Sequence, residues 1–223
     1  MSKKNKNVKN KKAKRIFSLI IILALISCGV YFYLTNRPSS KEPVKAKSKV
    51  VDSIKEYGYT ISDTSTKLFK NKFNELKREL NKKEIDNKKY SELVAELFVI
   101  DFYTLDNKIS KNDIGGVQFV YTNYKATFID KARDEFYKYV KNNLNDDRNQ
   151  ELPEVSTIKV ESSEEVSTSE YFDSDELKNI ESAYKINLSW TYKKDLGYET
   201  SSTLIVVKDG KKYSVAKLIG DEE

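Results

Sequence analysis

The chain has 223 residues, 39% hydrophobic and 12% aromatic, with 40 Lys and Arg against 34 Asp and Glu. It contains no His, which removes the commonest general base, the commonest transition-metal ligand and any Ser–His–Asp arrangement. A single Cys, Cys28, precludes an intrachain disulfide, so a folded domain here must rest on its hydrophobic core.

The charge is unevenly placed. Residues 1–15 carry eight Lys and Arg and no acid, and residues 51–223 carry 27 basic and 33 acidic side chains, a net −6. The overall +6 therefore belongs to the tail and linker, and a nucleic-acid partner is not expected. Ile16 to Leu34 is a run of 19 uncharged residues. At about 1.5 Å per residue it spans roughly 28 Å, the thickness of a bilayer core. It is read as an uncleaved transmembrane helix with its basic flank in the cytoplasm by the positive-inside rule. Membrane lipids are then one partner. The alternative is a lipoprotein: Leu25-Ile26-Ser27-Cys28-Gly29 fits the short pattern that precedes a lipidated Cys. Against it, the run stays apolar after Gly29, and Tyr31 and Tyr33 suit a membrane interface. A cleaved secretory signal fits the length least well. Residues 36–50, with Pro38, Pro43, Ser39-Ser40 and spaced lysines, read as a linker.

Residues 51–223 are long enough for one core. Ile54–Ile61 is β-rich. Ser62–Thr66 supplies capping residues, and Phe69, Phe73, Leu76 and Leu80 then follow on one helical face. Tyr90, Leu93, Val94, Leu97 and Phe98 mark a second, broader helix running toward Leu105. Gly115-Gly116 is the clearest hinge, and Val117–Tyr121 suits a short extended piece. Phe128, Ile129, Ala132, Phe136, Tyr139, Val140 and Leu144 predict a third, long helix. Strands follow. Ile158 and Val160 alternate with polar residues, and Ile186, Leu188, Trp190 and Tyr192 share one face. Leu204–Val207, Asp209-Gly210 and Lys212–Leu218 read as a hairpin. The expected fold class is α+β: an N-terminal transmembrane helix, then three helices packed on an antiparallel sheet. The domains are 1–15 tail, 16–35 span, 36–50 linker and 51–223 outer domain.

Chemistry is sparse. Gly115-Gly116 lacks the Lys and the strand–loop–helix context of a phosphate-binding loop. Asp101, Asp106 and Asp113, near Tyr103 or Tyr121, are the only candidates for acid–base work, and capping or solvated roles explain them better. Residues 144–182 hold twelve acids and three basic residues. Asp173-Ser174-Asp175-Glu176 lacks the ligand spacing and glycine of a calcium loop and reads instead as a solvated edge or helix start. No catalytic residue, metal site or cofactor is assigned.

The order of elements resembles the cone-shaped folds of the nuclear-transport-factor-two-like and cystatin-like types. The whole plan of basic tail, span and outer domain is similar to inner-membrane scaffold proteins of type IV secretion and conjugation machines. Ile54–Ile61, Phe98–Leu105, Asp113–Tyr121 and Trp190–Leu196 also look like a group of single-pass proteins of low-GC Gram-positive bacteria. The likeness covers roughly residues 51–218 and brings no site residue with it. It implies a non-enzymatic interaction or scaffold module at the cell envelope, working through a protein partner or self-association. The alternative is a small-ligand-binding module using a concave pocket, which a cavity lined by Tyr and Phe would favour.

Overall fold

The computed structural model describes residues 48–173, 177 and 180–219, all within one compact unit. The run Ile16–Leu34 and Cys28 lie outside these residues, as do residues 174–176 of the acidic stretch.

Val50–Ile54 (β1) and Tyr59–Ser62 (β2) form an antiparallel ribbon. The β-rich stretch from Ile54 to Ile61 is therefore a turn plus a strand, with Gly58 at a φ of 65° closing the turn. Tyr59 and Ile61 point into the core. The Gln118 side chain clasps the free edge of β2: its Oε1 accepts from Thr60 N–H (2.9 Å) and its Nε2 donates to Thr60 C=O (3.1 Å).

Helix α1 (Lys67–Leu80) starts where Thr66 Oγ1 accepts from Phe69 N–H, and α2 (Asn87–Tyr103) where Asp86 Oδ1 accepts from Lys89 N–H. In α1, Phe69, Phe73, Leu76 and Leu80 are buried as their spacing requires. In α2 nearly every side chain from Tyr90 to Tyr103 is buried, because this helix lies across the sheet with α1 on its other side.

The sheet is a meander of Val155–Glu165 (β3), Ala183–Tyr192 (β4), Ser201–Asp209 (β5) and Lys212–Ile219 (β6), antiparallel throughout. Ile186, Leu188 and Trp190 face the helices, with Trp190 opposite Ile158 and only 3% exposed. The other face is covered at one end. There Ile205, Val207 and Ala183 pack with Tyr121 and Leu177, flanked by Val166, Tyr171 and Phe172 of the β3–β4 connection. In the last hairpin Asp209 pairs with Lys212, so Asp209 ends β5 and Gly210 supplies the left-handed φ of 62° that opens the turn.

The expected fold class needs correction in three respects. No helix among the described residues is long and apolar enough to cross a membrane. The strands form two sheets, one of two strands and one of four, because the ribbon closes against Gln118 and does not join the meander. The third helix, α3 (Lys125–Asp134), stops ten residues short of Leu144. Glu135 leaves helical geometry (φ −113°, ψ −81°) and Tyr137 N–H reaches back to Ala132 C=O. Val117–Tyr121 also differs from an extended piece. It is a single 3₁₀ turn, Val117–Phe119, followed by one parallel bridge from Val120 to Val215.

Candidate functional site

Early termination of α3 reverses two tyrosines. A continued helix would bury Tyr139 and expose Tyr137. Instead Tyr137 is fully buried and Tyr139 is 74% exposed. Tyr137 Oη donates to Phe102 C=O at the end of α2 (2.6 Å) and accepts from Gly115 N–H (3.1 Å). Burial holds this hydroxyl well above its ordinary pKa, so it stays a neutral donor. Nothing in the local sequence marks this role; the partners are 35 and 22 residues away.

The sequence candidates around it are engaged in holding the loop. Asp101 pairs with the buried Lys108 (2.6 Å) and accepts from Gly116 N–H (2.7 Å). Asp113 accepts from Ile109 N–H, and the backbone C=O of Asp106 takes a hydrogen bond from Arg148. Asp101 and Asp113 both lie near the Tyr137 hydroxyl, whose raised pKa their charges reinforce, and Tyr103 and Tyr121 lie in separate clusters. Gly115-Gly116 is pinned and does not act as a hinge: a Cβ at Gly115 would sit 2.1 Å from Asp101 C=O. Among the described residues no three acidic side chains gather as a metal-ligand set.

The exposed Tyr139 stands at a half-open cleft of about 350 Å³. Leu105, Val140 and Leu152 form its apolar lining, with the rings of Phe136, Tyr139 and Tyr198. Its polar and charged lining is Gln150, Glu135 and Glu199. Each wall has a structural cause. The turn that ends α3 brings Glu135, Phe136 and Tyr139 to one side. The β4–β5 turn, with Gly197 at a φ of 74°, brings Tyr198 and Glu199 to the other. Gln150 ties the rim to the turn by accepting from Lys141 N–H (2.9 Å) and donating to Tyr139 C=O (3.0 Å).

Behind the cleft the rings are continuous. Phe136 is 6.1 Å from Tyr198 and 5.2 Å from Tyr103, and Tyr103 is 4.6 Å from Trp190. Tyr103 Oη donates to Glu199 Oε2 (3.3 Å) and Tyr192 Oη to Glu199 C=O (2.8 Å). Burial is the main cause that raises both hydroxyls, Tyr192 to about 12, and the Glu199 charge adds to it. Both therefore remain protonated donors at neutral pH.

The electrostatics at the rim are one-sided. Three nearby cations are taken by other carboxylates, Arg133 by Asp130 and Asp134, Lys193 by Glu154 and Lys194 by Glu151, whereas Lys138 sits on the Tyr139 ring. Glu135 and Glu199 make no ion pair with any described residue. The Tyr139 ring already holds the Lys138 ammonium 5.3 Å from its centroid, within cation–π range. Phe136, Tyr139 and Val140 stood out in the sequence as a helix stripe. The cleft they form with Tyr198 and Glu199 depends on the helix ending before them. Comparison with protein-family models, with curated proteins and with solved structures finds no match in any of the three.

Proposed function

We propose that the chain is a non-enzymatic recognition module of the cell envelope. The domain at 48–219 would lie outside the membrane, attached through the uncharged run at 16–34, with the basic tail in the cytoplasm. Recruitment of a partner or ligand to the membrane surface would be its role, as in the scaffold proteins its plan resembles. One observation carries the recognition reading: the open cleft walled by Phe136, Tyr139 and Tyr198, with an aromatic ring 74% exposed at its mouth. Exposed rings that converge on a concave site are the usual chemistry of a binding pocket. Two of the three carboxylates that could have served catalysis, Asp101 and Asp113, hold backbone and Lys108 instead, which supports a binding role over an enzymatic one.

Two measurements test this reading. Protease added to protoplasts should remove the 48–219 domain; protection of that domain overturns the orientation. A photoreactive residue placed at Tyr139 of the full chain in cells should form a defined adduct, and one at the exposed Lys83, on the α1–α2 connection, should not. Equal labelling at the two positions overturns the cleft as the recognition site.

A further inference from the structure

We infer that the cleft takes an organic cation, an alkylammonium or guanidinium group. This rests on the cleft as the recognition site and goes on to name its ligand chemistry. Three aromatic rings line the walls, and a cation over a ring face gains from the ring quadrupole. Among the described residues the charged lining consists of two carboxylates, Glu135 and Glu199. Neither makes an ion pair with a described residue, although the neighbouring carboxylates do. Glu199 is exposed, and one of its carboxylate oxygens accepts from the buried Tyr103 hydroxyl. The Tyr139 ring already accepts an ammonium, that of Lys138. An anion would meet two carboxylates here against the single Lys138 ammonium on the Tyr139 ring, and a neutral apolar ligand would have to desolvate them.

Two sources present this chemistry: a small free quaternary ammonium compound, and an Arg side chain of a protein partner. Full-length protein in non-ionic detergent would be titrated at constant ionic strength while its aromatic side-chain NMR signals are followed. The probes are choline, butylguanidinium and dimethylbutanol, the last being the neutral carbon isostere of choline. Choline or butylguanidinium should shift the Tyr139 and Tyr198 signals saturably, and dimethylbutanol should bind at least about tenfold more weakly. Tighter butylguanidinium binding identifies an Arg-type side chain as the source; tighter choline binding identifies a small ammonium compound. The double variant Glu135→Gln, Glu199→Gln should weaken the cation about tenfold and bind dimethylbutanol no more weakly than the parent, because the neutral ligand no longer has to desolvate two charges. Tyr139→Ala should weaken the cation about three- to fivefold. Equal binding of choline and dimethylbutanol, or an unaltered double variant, overturns the assignment. So does the absence of any shift. In that case persisting adducts at position 139 leave the cleft reading standing, and their loss removes both.

Discussion

Replacing Tyr137 by Phe removes one oxygen and keeps the ring, so it isolates the bond that ends α3 and pins the glycine loop. The hydroxyl sits at a fully buried position and satisfies two backbone groups, Phe102 C=O at 2.6 Å and Gly115 N–H at 3.1 Å. Phe102 is in the last turn of α2, where carbonyls have no intrahelical donor, so its C=O would be left without the partner that now serves it. Each buried group left unpaired costs about 1–3 kcal/mol. The expected loss is about 2–4 kcal/mol, out of a total of about 5–15 kcal/mol for a domain. At about 2–4 °C per kcal/mol for a domain of this size, the melting temperature should fall by about 4–16 °C. Chemical denaturation should show a lower midpoint with an unchanged slope, because the same surface is exposed on unfolding. Tyr139→Phe, at the exposed neighbour, is the control and should stay within about 0.5 kcal/mol. A Tyr137→Phe loss as small as the control's would mean that the backbone groups find other partners. The account of why α3 stops at Asp134 would then be wrong.

Two further outcomes follow from the core. Trp190→Ala should cost about 3–5 kcal/mol, because Trp190 is 3% exposed and packs its ring against that of Tyr103; a midpoint shift of surface size would move Trp190 out of the core. Glu96 is buried with one carboxylate oxygen unpaired, and burial raises its pKa although Lys72 at 2.8 Å opposes the shift. A raised carboxyl means that the folded state binds more protons, so stability falls as pH rises from the ordinary Glu value through the raised one. Glu96→Gln should flatten that fall in pH-dependent denaturation curves, and an unchanged pH profile would show that Glu96 does not cause it.

How much could be read in advance depended on how local each cause was. Thr66 ends the capping cluster directly before the apolar periodicity of α1, and that helix begins where it indicates. Ile186, Leu188 and Trp190 alternate cleanly, and β4 places them on the helix-facing side. Asp209-Gly210 marks the last hairpin, although Asp209 belongs to the strand. The end of α3 has no such mark: from Lys125 to Leu144 there is no Gly or Pro, and the stripe through Phe136, Tyr139 and Val140 continues. What stops the helix is Tyr137 bonding to Phe102, a contact distant in sequence. The cleft inherits that distance, since Tyr139 is exposed only because the helix fails to continue and Tyr198 arrives from a different turn. The separate ribbon has the same kind of origin. A β-rich stretch near Ile54 foretells strands, but only the Gln118 side chain determines that β2 pairs with an amide in place of another strand.

Helix α2, clad on nearly every side, leaves the domain without a natural seam. Water meets almost none of its surface after Tyr90, so α1 with the ribbon cannot be parted from the meander without baring one flank of the same helix. Neither half could serve as a freestanding piece, because each would carry half of an oily spindle with nothing to coat it. Amides along α2 should accordingly open only when the whole domain opens, and a truncated fragment ending before β3 should clump and fail to fold. Evolution or an engineer wishing to vary this protein would find room at its periphery, in connections such as the exposed Lys83-Glu84 between α1 and α2, where added residues disturb none of the layers that wrap the spindle.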